Sequence, residues 1–349
     1  MNVTEIDGSM GEGGGQVLRT AVALAAVTKT PVRVTNIRAK RRKPGMAAQH
    51  VAAVRAIAEL SSAEVKGADV GSRVVEFVPR ELRSGRYAID VGTAGSVTLV
   101  LQAALPAAFA VGNVELRIRG GTDVPMAPPA DYFRTVFLRW IDRLGGRSEF
   151  EILRRGYYPR GGGEVIVRIP EPARWRPLIS DPRPEPDRIE GAAHIANLPE
   201  DIVARMASAA KKRLASYLSV RIHKEVLDSS RAEGPGGAIS LWADAGETIL
   251  GGNALAERGK RAEIVGDEAA AAILAELHSG ATVDVHAADQ LLPYLALANE
   301  PSSFLVREVT EHMRSMMWLL GSFLGTHIRT VQDGSLHRVT VTPGRQVQG

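Results

Sequence analysis

Two segments of three consecutive glycines, residues 13–15 and 161–163, constrain the fold of this chain more than any other feature. Glycine runs carry an entropic cost inside helices and strands, so they mark places where the backbone comes close to something else. Glu12 and Arg19 lie beside the first segment, and Arg160 and a glutamate lie beside the second. One such segment is compatible with a simple hairpin turn, but two of the same kind are hard to attribute to chance.

The composition is that of a soluble globular protein, since apolar residues make up 45% of the chain and charged residues 23%. No apolar run reaches the roughly 18 residues that span a bilayer, and the start of the chain lacks the basic and apolar regions of a signal peptide. We therefore expect a cytoplasmic protein without membrane contact. The absence of cysteine excludes disulfides, cysteine-ligated metals and thiol nucleophiles.

The basic residues are mostly arginine, with 35 arginines against 8 lysines. Arginine binds phosphate through two parallel hydrogen bonds, so this bias suits a phosphate-rich ligand. A biased genome or a warm habitat would produce the same ratio. The net charge of +4 therefore permits a nucleic-acid partner without demonstrating one.

The order of predicted strands and helices indicates an α+β fold made of repeats. Two β-α-β-α-β-β units follow each other in the first half of the chain, and a third fits residues 282–342. A proline-rich segment, residues 170–187, has the composition of a linker. The segment that follows is built differently, so we predict a smaller α/β domain at residues 184–278, inserted before the third repeat. Residues 1–183 and 279–349 would form the main domain.

Apolar residues at helical spacing predict eight helices. These are residues 16–27, 47–60, 97–109, 132–144, 200–218, 267–277, 289–298 and 309–324. Asp289 would cap the seventh, with Pro293 in the first turn, where no intrahelical donor is lost. His312 lies in the first turn of the eighth, at the edge of its apolar stripe, where a ligand could meet a ring nitrogen. That stripe consists of Met313, Met316, Met317, Leu320 and Leu324.

The two glycine segments resemble signatures of the RNA 3'-terminal phosphate cyclase family. That family has an EGGGQ-x-LR segment early in the chain and an RG-x-x-P-x-GGG segment in the middle, and residues 12–19 and 155–163 match them. A GTAGS segment at residues 92–96, a GGT…AP loop at residues 120–128 and a DQL motif at residues 289–291 follow the same pattern. The resemblance covers nearly the whole chain. It implies three repeats similar to the carboxy-terminal domain of a translation initiation factor, with a smaller domain inserted.

A basic run at residues 38–43 holds five cations in six positions. Such a run is usually a solvated face, but this one lies at a strand-to-helix junction near the first glycine segment, where it could line a phosphate track. It is similar to the family's RAG-x-x-KPG segment, with Lys40 in place of the glycine. His286, before the DQL motif, also departs from the family, which carries an aromatic or aliphatic residue there.

The resemblance implies roles for particular side chains. His312, at the start of the last long helix, would be the nucleophile. Glu12 is our candidate to hold a divalent metal, Mg²⁺ or Mn²⁺, because hard ions prefer oxygen ligands. The residues expected at the nucleotide are Gln102, Pro128, His286, Asp289 and Gln290, with Arg19 for the triphosphate and Leu255 as an apolar platform for adenine. The residues expected at RNA or phosphate are Arg38, Arg41, Lys43, Gln49 and His50.

The expected function is the ATP-dependent conversion of an RNA 3'-phosphate to a 2',3'-cyclic phosphate through a histidine adenylate. The partners would be ATP and RNA with a 3'-phosphate end; the oligomeric state stays open, with a homodimer as one option. Three alternatives remain. One is a cyclase-like protein that acts in ribosome assembly without the nucleophile, which the presence of His312 argues against. The others are an enolpyruvyl transferase built from comparable repeats and a plain RNA-binding scaffold.

Overall fold

The computed structural model describes residues 3–180 and 186–344 as a mixed α/β structure with several small sheets. The elements of the first half are β1 (Thr4–Asp7), α1 (Gly15–Thr28), β2 (Val32–Thr35), α2 (Ala48–Leu60), β3 (Glu64–Lys66), β4 (Val75–Val78), β5 (Gly85–Asp90), α3 (Val97–Val111), β6 (Val114–Gly120), α4 (Ala130–Tyr132), a π-helical turn (Phe133–Phe137), α5 (Leu138–Arg143), β7 (Glu149–Arg154) and β8 (Gly163–Ile169). Those of the second half are β9 (Arg188–Ala196), α6 (Asp201–Leu214), β10 (Ser219–Leu227), β11 (Gly236–Asp244), β12 (Ile249–Leu255), α7 (Ala262–Ser279), α8 (Val285–Ala296), β13 (Ser302–Val306), α9 (Glu311–Leu324), β14 (His327–Asp333) and β15 (Leu336–Thr342).

The first two sheets have the same strand order and the same strand directions. They run β1-β2-β4-β3 and β5-β6-β8-β7. In each, the first two strands are parallel and the other neighbours are antiparallel. Parallel strands end at the same edge of a sheet, so the loops that follow β1 and β2 share one edge, and so do the loops that follow β5 and β6.

The third sheet has the order β13-β15-β14 and is antiparallel. Ile179 makes a parallel bridge to Ser303 beside it. The backbone amide of Ser180 donates to Ser303 at 3.1 Å, and the amide of Ser303 donates to Leu178 at 2.7 Å. Residues 178–180 therefore stand beside β13 as β1 stands beside β2.

The fourth sheet has a different order, β10-β9-β11-β12, and carries α6 and α7. Its apolar side chains, from Ile189 to Leu277, form a hydrophobic core of their own. A separate, larger core joins the helices of the other three sheets. Within that larger core α1 packs against α2, α3 and α9, and this contact brings the start of α9 to the start of α1.

Most of the helix predictions are confirmed within a few residues, and two strands were missed. β12 contains Gly251 and Gly252, which look like turn residues in the sequence. A Cβ atom on Gly251 would lie 2.6 Å from the ring of Tyr132, and one on Gly252 would lie 2.5 Å from the backbone of Ile273. These glycines allow close packing inside the strand. β13 begins with two serines and lacks the alternation of a typical strand.

The prediction that Asp289 caps its helix is wrong. α8 begins four residues earlier, because Asp284 accepts hydrogen bonds from the amides of His286 and Ala287 at 3.0 and 2.9 Å. Asp289 and Pro293 therefore lie inside the helix. The side chain of Asp289 is free to act elsewhere as a result.

The buried residues of α9 differ in part from the predicted apolar stripe. Met313, Met316 and Leu320 are buried as expected, but Leu319 is buried too, while Met317 and Leu324 are only half-buried. The predicted domain boundary at residue 183 lies outside the described residues. No helix in the described part of the chain is long and apolar enough to cross a membrane.

Candidate active site

His312 is the second residue of α9, at the end of the helix that meets α1. The helix begins here because the Thr310 hydroxyl accepts a hydrogen bond from the amide of Met313 at 3.1 Å. The Met313 side chain points into the core, whereas the imidazole of His312 is 54% exposed. The fold thus fixes the base of the histidine and leaves part of the ring accessible.

One ring nitrogen of His312 is engaged by acceptors. Nδ1 lies 2.9 Å from Oε1 of Gln16 and 2.8 Å from Oε2 of Glu12. The Gln16 amide is oriented by its Nε2, which donates to Asp289, so Oε1 faces the histidine. With the Nδ1 hydrogen directed at these oxygens, the Nε2 lone pair is the one available for attack.

The surroundings favour the neutral imidazole. Burial lowers the pKa of His312, and the positive charges of Arg41 and Arg19 lower it further. A histidine with a lowered pKa is unprotonated at neutral pH and can act as a nucleophile. The Glu12 carboxylate beside Nδ1 would stabilise positive charge that develops on the ring once Nε2 has reacted.

Glu12 is held in place on both sides. Its backbone amide donates to the Ser315 hydroxyl at 3.0 Å, and its carboxylate forms an ion pair with Arg41. Oε2 is buried and lies 2.8 Å from Nδ1 of His312. A carboxylate oxygen is suited to be one ligand of a hard divalent ion. Residues 3–180 and 186–344 contain no group of three acidic or histidine side chains placed to hold a metal ion, so other ligands would have to come from substrate phosphate and water.

Arg19 is a buried cation with no partner. Its side chain is 8% exposed, and no hydrogen bond or ion pair joins it to any residue that the structure describes. Burial lowers its pKa to about 10, although the negative charge of Asp289 opposes the shift. A buried cation is stable only when it is paired, so this guanidinium is suited to an anionic ligand.

The first glycine segment makes room for this arginine. A Cβ atom on Gly15 would lie 1.9 Å from Nε2 of His50 and 2.9 Å from Nη1 of Arg19. Gly13 and Gly14 are approached in the same way by side chains of the basic run, Lys40 and Arg41. The backbone at the start of α1 is therefore covered by ends of polar side chains.

A cavity opens beside these groups, between α1, α3, α8 and α9. It is lined by Gln16, Arg19, Thr20, Gln102, Ala103, Phe137, Asp289, Gln290, Pro293, Tyr294 and Met316. Four of the residues expected at the nucleotide meet here, namely Arg19, Gln102, Asp289 and Gln290. Gln102 donates to Gln290 at 2.8 Å, and burial raises the pKa of Asp289 to about 7.

Three other residues expected at the nucleotide do not line the cavity. The carbonyl of Pro128 accepts from the Thr98 hydroxyl at 2.8 Å. His286 is exposed in the first turn of α8, close enough for its charge to lower the pKa of His312. Leu255 is half-buried on β12 of the fourth sheet, paired with Ala238.

The residues expected at phosphate fall into two groups. Arg41 is part of the Glu12 ion pair and Lys43 is exposed, whereas Arg38 donates to the Gly45 carbonyl at 2.7 Å. The side chains of Gln49 and His50 both accept hydrogen bonds from backbone amides. Oε1 of Gln49 accepts from the amide of Ser96 at 2.9 Å, which ties residues 92–96 to α2.

His50, the third residue of α2, stabilises the start of this helix, because its Nδ1 accepts a hydrogen bond from the amide of Ala47 at 3.0 Å. Burial and two nearby arginines lower the pKa of His50 to about 3, so the ring is neutral. Its Nε2 lies over Gly15 beside the Arg19 guanidinium. A neutral Nε2 in that position can contribute a hydrogen bond to a ligand but no charge.

Sequence reasoning missed a buried polar cluster beside the second glycine segment. Arg155, which looks like a solvated turn residue, is 6% exposed. It forms ion pairs with Asp123 at 3.3 Å and with Asp131 at 2.8 Å, and its Nη1 lies 2.9 Å from Nε2 of His194. Nδ1 of His194 lies 2.9 Å from the Tyr157 hydroxyl.

This cluster, hereafter the Arg155 cluster, joins the second sheet to the fourth. Arg155 and Tyr157 follow β7, whereas His194 belongs to β9. The signal that could have revealed it is a histidine inside an apolar strand, since a buried imidazole needs polar partners. The sequence does not show which residues these partners are; in the structure they are Arg155 and Tyr157.

The fold and the site define an enzyme of mixed α/β structure whose unpaired buried cation and accessible histidine suit an anionic ligand. Comparison with known proteins gives the particular family. A sequence model of the RNA 3'-terminal phosphate cyclase family matches residues 10–330. The chain belongs to this family of enzymes.

Several relatives that carry the name RNA 3'-terminal phosphate cyclase match almost end to end. The chain is 49% identical to the protein from Nitrosospira multiformis over 340 residues, which is 97% of this chain and 96% of the relative. It is 46% identical to the protein from Methanopyrus kandleri over 351 residues, 98% of this chain and 99% of the relative. It is 48% identical to the protein from Thermococcus onnurineus over 328 residues, 93% and 94% of the two chains.

Proposed function

We propose that this protein converts RNA 3'-terminal phosphates to 2',3'-cyclic phosphates at the expense of ATP. The observation that carries the proposal is the accessible, neutral His312, with Nδ1 held by Gln16 and Glu12 beside the unpaired cation of Arg19. That arrangement supplies a nucleophile and a partner for a phosphate in one place. The family and the names of the relatives support the same reaction.

The first step is attack by Nε2 of His312 on the α-phosphorus of ATP. A nitrogen–phosphorus bond forms, the bond to pyrophosphate breaks, and a histidine adenylate results. The ring becomes positively charged, and the Glu12 carboxylate 2.8 Å from Nδ1 stabilises it. Gln16 fixes the orientation of the ring, because its amide bridges Nδ1 and Asp289.

In the second step, an oxygen of the RNA 3'-phosphate attacks the adenylate and releases His312. The RNA then carries a phosphate anhydride with AMP. In the third step, the neighbouring ribose 2'-hydroxyl loses its proton and attacks the 3'-phosphorus. The oxygen–phosphorus bond that closes the ring forms, the bond to AMP breaks, and AMP leaves.

Each step shifts negative charge on phosphoryl oxygens, so pre-placed cations lower its barrier. Arg19 is the first of these, because it is buried and unpaired. Arg41 and Lys43 approach from the basic run. A divalent ion held through Glu12 would add Lewis-acid polarisation of phosphate oxygens. The chemistry of the Glu12 carboxylate, an oxygen ligand beside His312, supports that role.

The nucleoside of ATP would lie toward the cavity, where the Gln102 and Gln290 amides offer hydrogen bonds. Pro128 and His286 would contact it from the rim. Leu255 is the weakest of the predicted contacts, since it lies on β12 in the fourth sheet. RNA phosphate would reach the basic run and the backbone held by Gln49.

We propose that the three sheets outside the fourth are repeats of one β-α-β-α-β-β unit. The identical order of the first two sheets supports this. For the third unit, residues 178–180 take the place of the first strand. The fourth sheet would then be inserted within the third repeat, after its first strand, and not before the repeat.

The test uses an RNA oligonucleotide with a labelled 3'-terminal phosphate, incubated with the protein, ATP and Mg²⁺ or Mn²⁺. We expect the label to become resistant to phosphatase only when ATP is present, and a His312→Ala variant to give no product. Phosphatase-sensitive label after prolonged incubation of folded wild-type protein would contradict the proposal. Product formation by His312→Ala would reject the role of the histidine while keeping the reaction.

A further inference from the structure

The second glycine segment has no part in the chemistry of adenylation, yet it is firmly fixed. A Cβ atom on Gly161 would lie 2.8 Å from the Cα atom of Ala94, and one on Gly162 would lie 2.5 Å from the carboxylate of Glu233. Arg160 donates to the Glu233 carbonyl at 3.0 Å. The loop of residues 156–162 is therefore held between residues 92–96 and the fourth-sheet unit.

The two tyrosines of this loop differ in their surroundings. Tyr157 is buried and its hydroxyl reaches His194, whereas Tyr158 is 69% exposed and its side chain forms no hydrogen bond or ring contact with a described residue. A large exposed apolar side chain also lies on the neighbouring loop, where Met126 is 87% exposed. A bridge between Asp123 and Tyr157 ties that loop to this one. A rigid loop thus presents an aromatic face to solvent.

Direct contacts connect this aromatic face to the candidate active site. Gly161 packs on Ala94, and the neighbouring Ser96 is bonded to Gln49 at 2.9 Å. His50, the next residue after Gln49, covers Gly15 at the start of α1. A series of packing contacts and hydrogen bonds therefore links the loop of Tyr158 to the first glycine segment, which lies beside His312.

Exposed cations that form no ion pair with a described residue lie in the basic run beside the first glycine segment and in the loop of Tyr158. Arg42 and Lys43 are exposed and form no ion pair with a described residue. The Arg160 guanidinium is bonded to a carbonyl oxygen, so its charge is not neutralised. Single-stranded nucleic acid is bound by this combination, in which bases stack on aromatic rings and phosphates follow a positive groove.

We propose that Tyr158 stacks on a base of the RNA strand upstream of its 3' end and so positions the terminal phosphate at the active site. The inference rests on the proposed function. It commits to single-stranded RNA as the occupant, because the contacts lead from the loop of Tyr158 to the site where a 3'-phosphate would react. Tyr158 is a positioning residue here, and it takes no part in bond making.

The experiment compares wild type with Tyr158→Ala and Tyr158→Phe. Stacking on an aromatic residue contributes about 1–3 kcal/mol per base, so we expect Tyr158→Ala to raise KM for a 3'-phosphorylated oligonucleotide about 5- to 150-fold. Tyr158→Phe keeps the ring and should retain the wild-type KM. Self-adenylation with ATP alone and kcat should be unchanged in both. Tyr217→Ala, which removes an exposed tyrosine in the fourth-sheet unit, should match wild type throughout.

A second arm places an abasic nucleotide at successive positions upstream of the 3' end. At one position the abasic substrate should lose affinity for wild type but not for Tyr158→Ala. An unchanged KM in Tyr158→Ala, or an equal loss in both proteins at every position, would overturn the inference and would leave the surface to a protein partner.

Fluorescence anisotropy with the same oligonucleotide, measured without ATP, keeps the two proposals separable. Failure of wild type to become adenylated would sink the proposed function. Weaker RNA binding by Tyr158→Ala than by Tyr158→Phe in that case would still support the stacking contact. Equal binding by the two variants would reject it.

Discussion

Two arginines are buried to almost the same extent, one near each triple-glycine segment, and their surroundings are opposite. Arg19 is 8% exposed and has no partner among the described residues, and burial lowers its pKa to about 10. Arg155 is 6% exposed and lies between Asp123 and Asp131, which raise its pKa above the ordinary range despite burial. A buried charge costs free energy unless it is paired, so the environment of Arg155 indicates a structural role and that of Arg19 favours the proposed contact with a ligand.

The glycines differ in the same way. A Cβ atom on Gly15 would meet the ends of the His50 and Arg19 side chains, whereas one on Gly163 would lie 2.5 Å from the backbone nitrogen of Gly156. The first segment makes space for the polar side chains to which we assign a ligand. The second makes space for other backbone and for the Glu233 carboxylate. We infer that two similar motifs serve chemistry in one place and assembly in the other.

The largest effect on stability should come from Arg155→Met. The change leaves Asp123 and Asp131 buried without their cation, and removing one partner of a buried ion pair costs about 3–5 kcal/mol. Urea unfolding monitored by circular dichroism measures this loss. A loss below about 1 kcal/mol, typical of an exposed pair, would break the distinction between the two arginines.

Arg19→Met is the matched variant on the other side of the comparison. It removes an unpaired buried cation, so the free energy of unfolding of the ligand-free protein should stay the same or rise. Adenylation with ATP should fall on the order of 10²–10³-fold, the usual cost of losing one group that stabilises transition-state charge. Unchanged adenylation together with lost stability would show that Arg19 is structural as well.

Gly15→Ala adds one methyl group and should lower the rate of adenylation more than it lowers stability. The new Cβ must displace both His50 and Arg19, and a misplacement of 1 Å can cost about 10²-fold in rate. Rates of adenylation at saturating ATP test this. Gly163→Ala is the control, because overpacking against backbone should cost about 1–3 kcal/mol of stability while the folded variant still adenylates. The reverse pattern would contradict the assignment of the two segments.

The smallest effect concerns pH. Burial and the nearby arginines lower the pKa of His312, and in the proposed mechanism the nucleophile is the neutral ring. Adenylation should therefore hold its plateau through neutral pH and fall only below the ordinary histidine pKa of about 6.5. Arg41→Gln removes one of the charges that lower this pKa, so its acid limb should move to higher pH. A wild-type midpoint above 6.5 would show that the site favours the charged ring.

Much of the architecture could be predicted from the sequence because it depends on local pattern. The helix after the first glycine segment and the place of His312 at the start of α9 follow from apolar spacing. The N-cap of α8 could not be predicted, since Asp284 and Asp289 both suit a helix start, and contacts with the amides of residues 286 and 287 decide between them. β12 was missed because its glycines look like a turn.

Part of the candidate site could likewise be predicted from local motifs, and part of it could not. The motifs indicated Arg19, Gln102, Asp289 and Gln290, which line one cavity. The ion pairs and hydrogen bonds of the buried side chains could not be predicted, because they join residues that are far apart in the chain. Arg155 stands beside a glycine turn in the sequence, where a solvated side chain is expected, but in the structure it contacts Asp131 and His194.

The central claim is that His312 becomes adenylated at the first glycine segment, and labelling with α-³²P ATP tests it most directly. Wild type and His312→Ala would be incubated with Mg²⁺ or Mn²⁺ and resolved on a denaturing gel, and the labelled peptide would be mapped. The account predicts an acid-labile, base-stable adenylate on the peptide containing His312 in wild type only. Label on another residue, label on His312→Ala, or no label on folded wild type with intact ATP would contradict it.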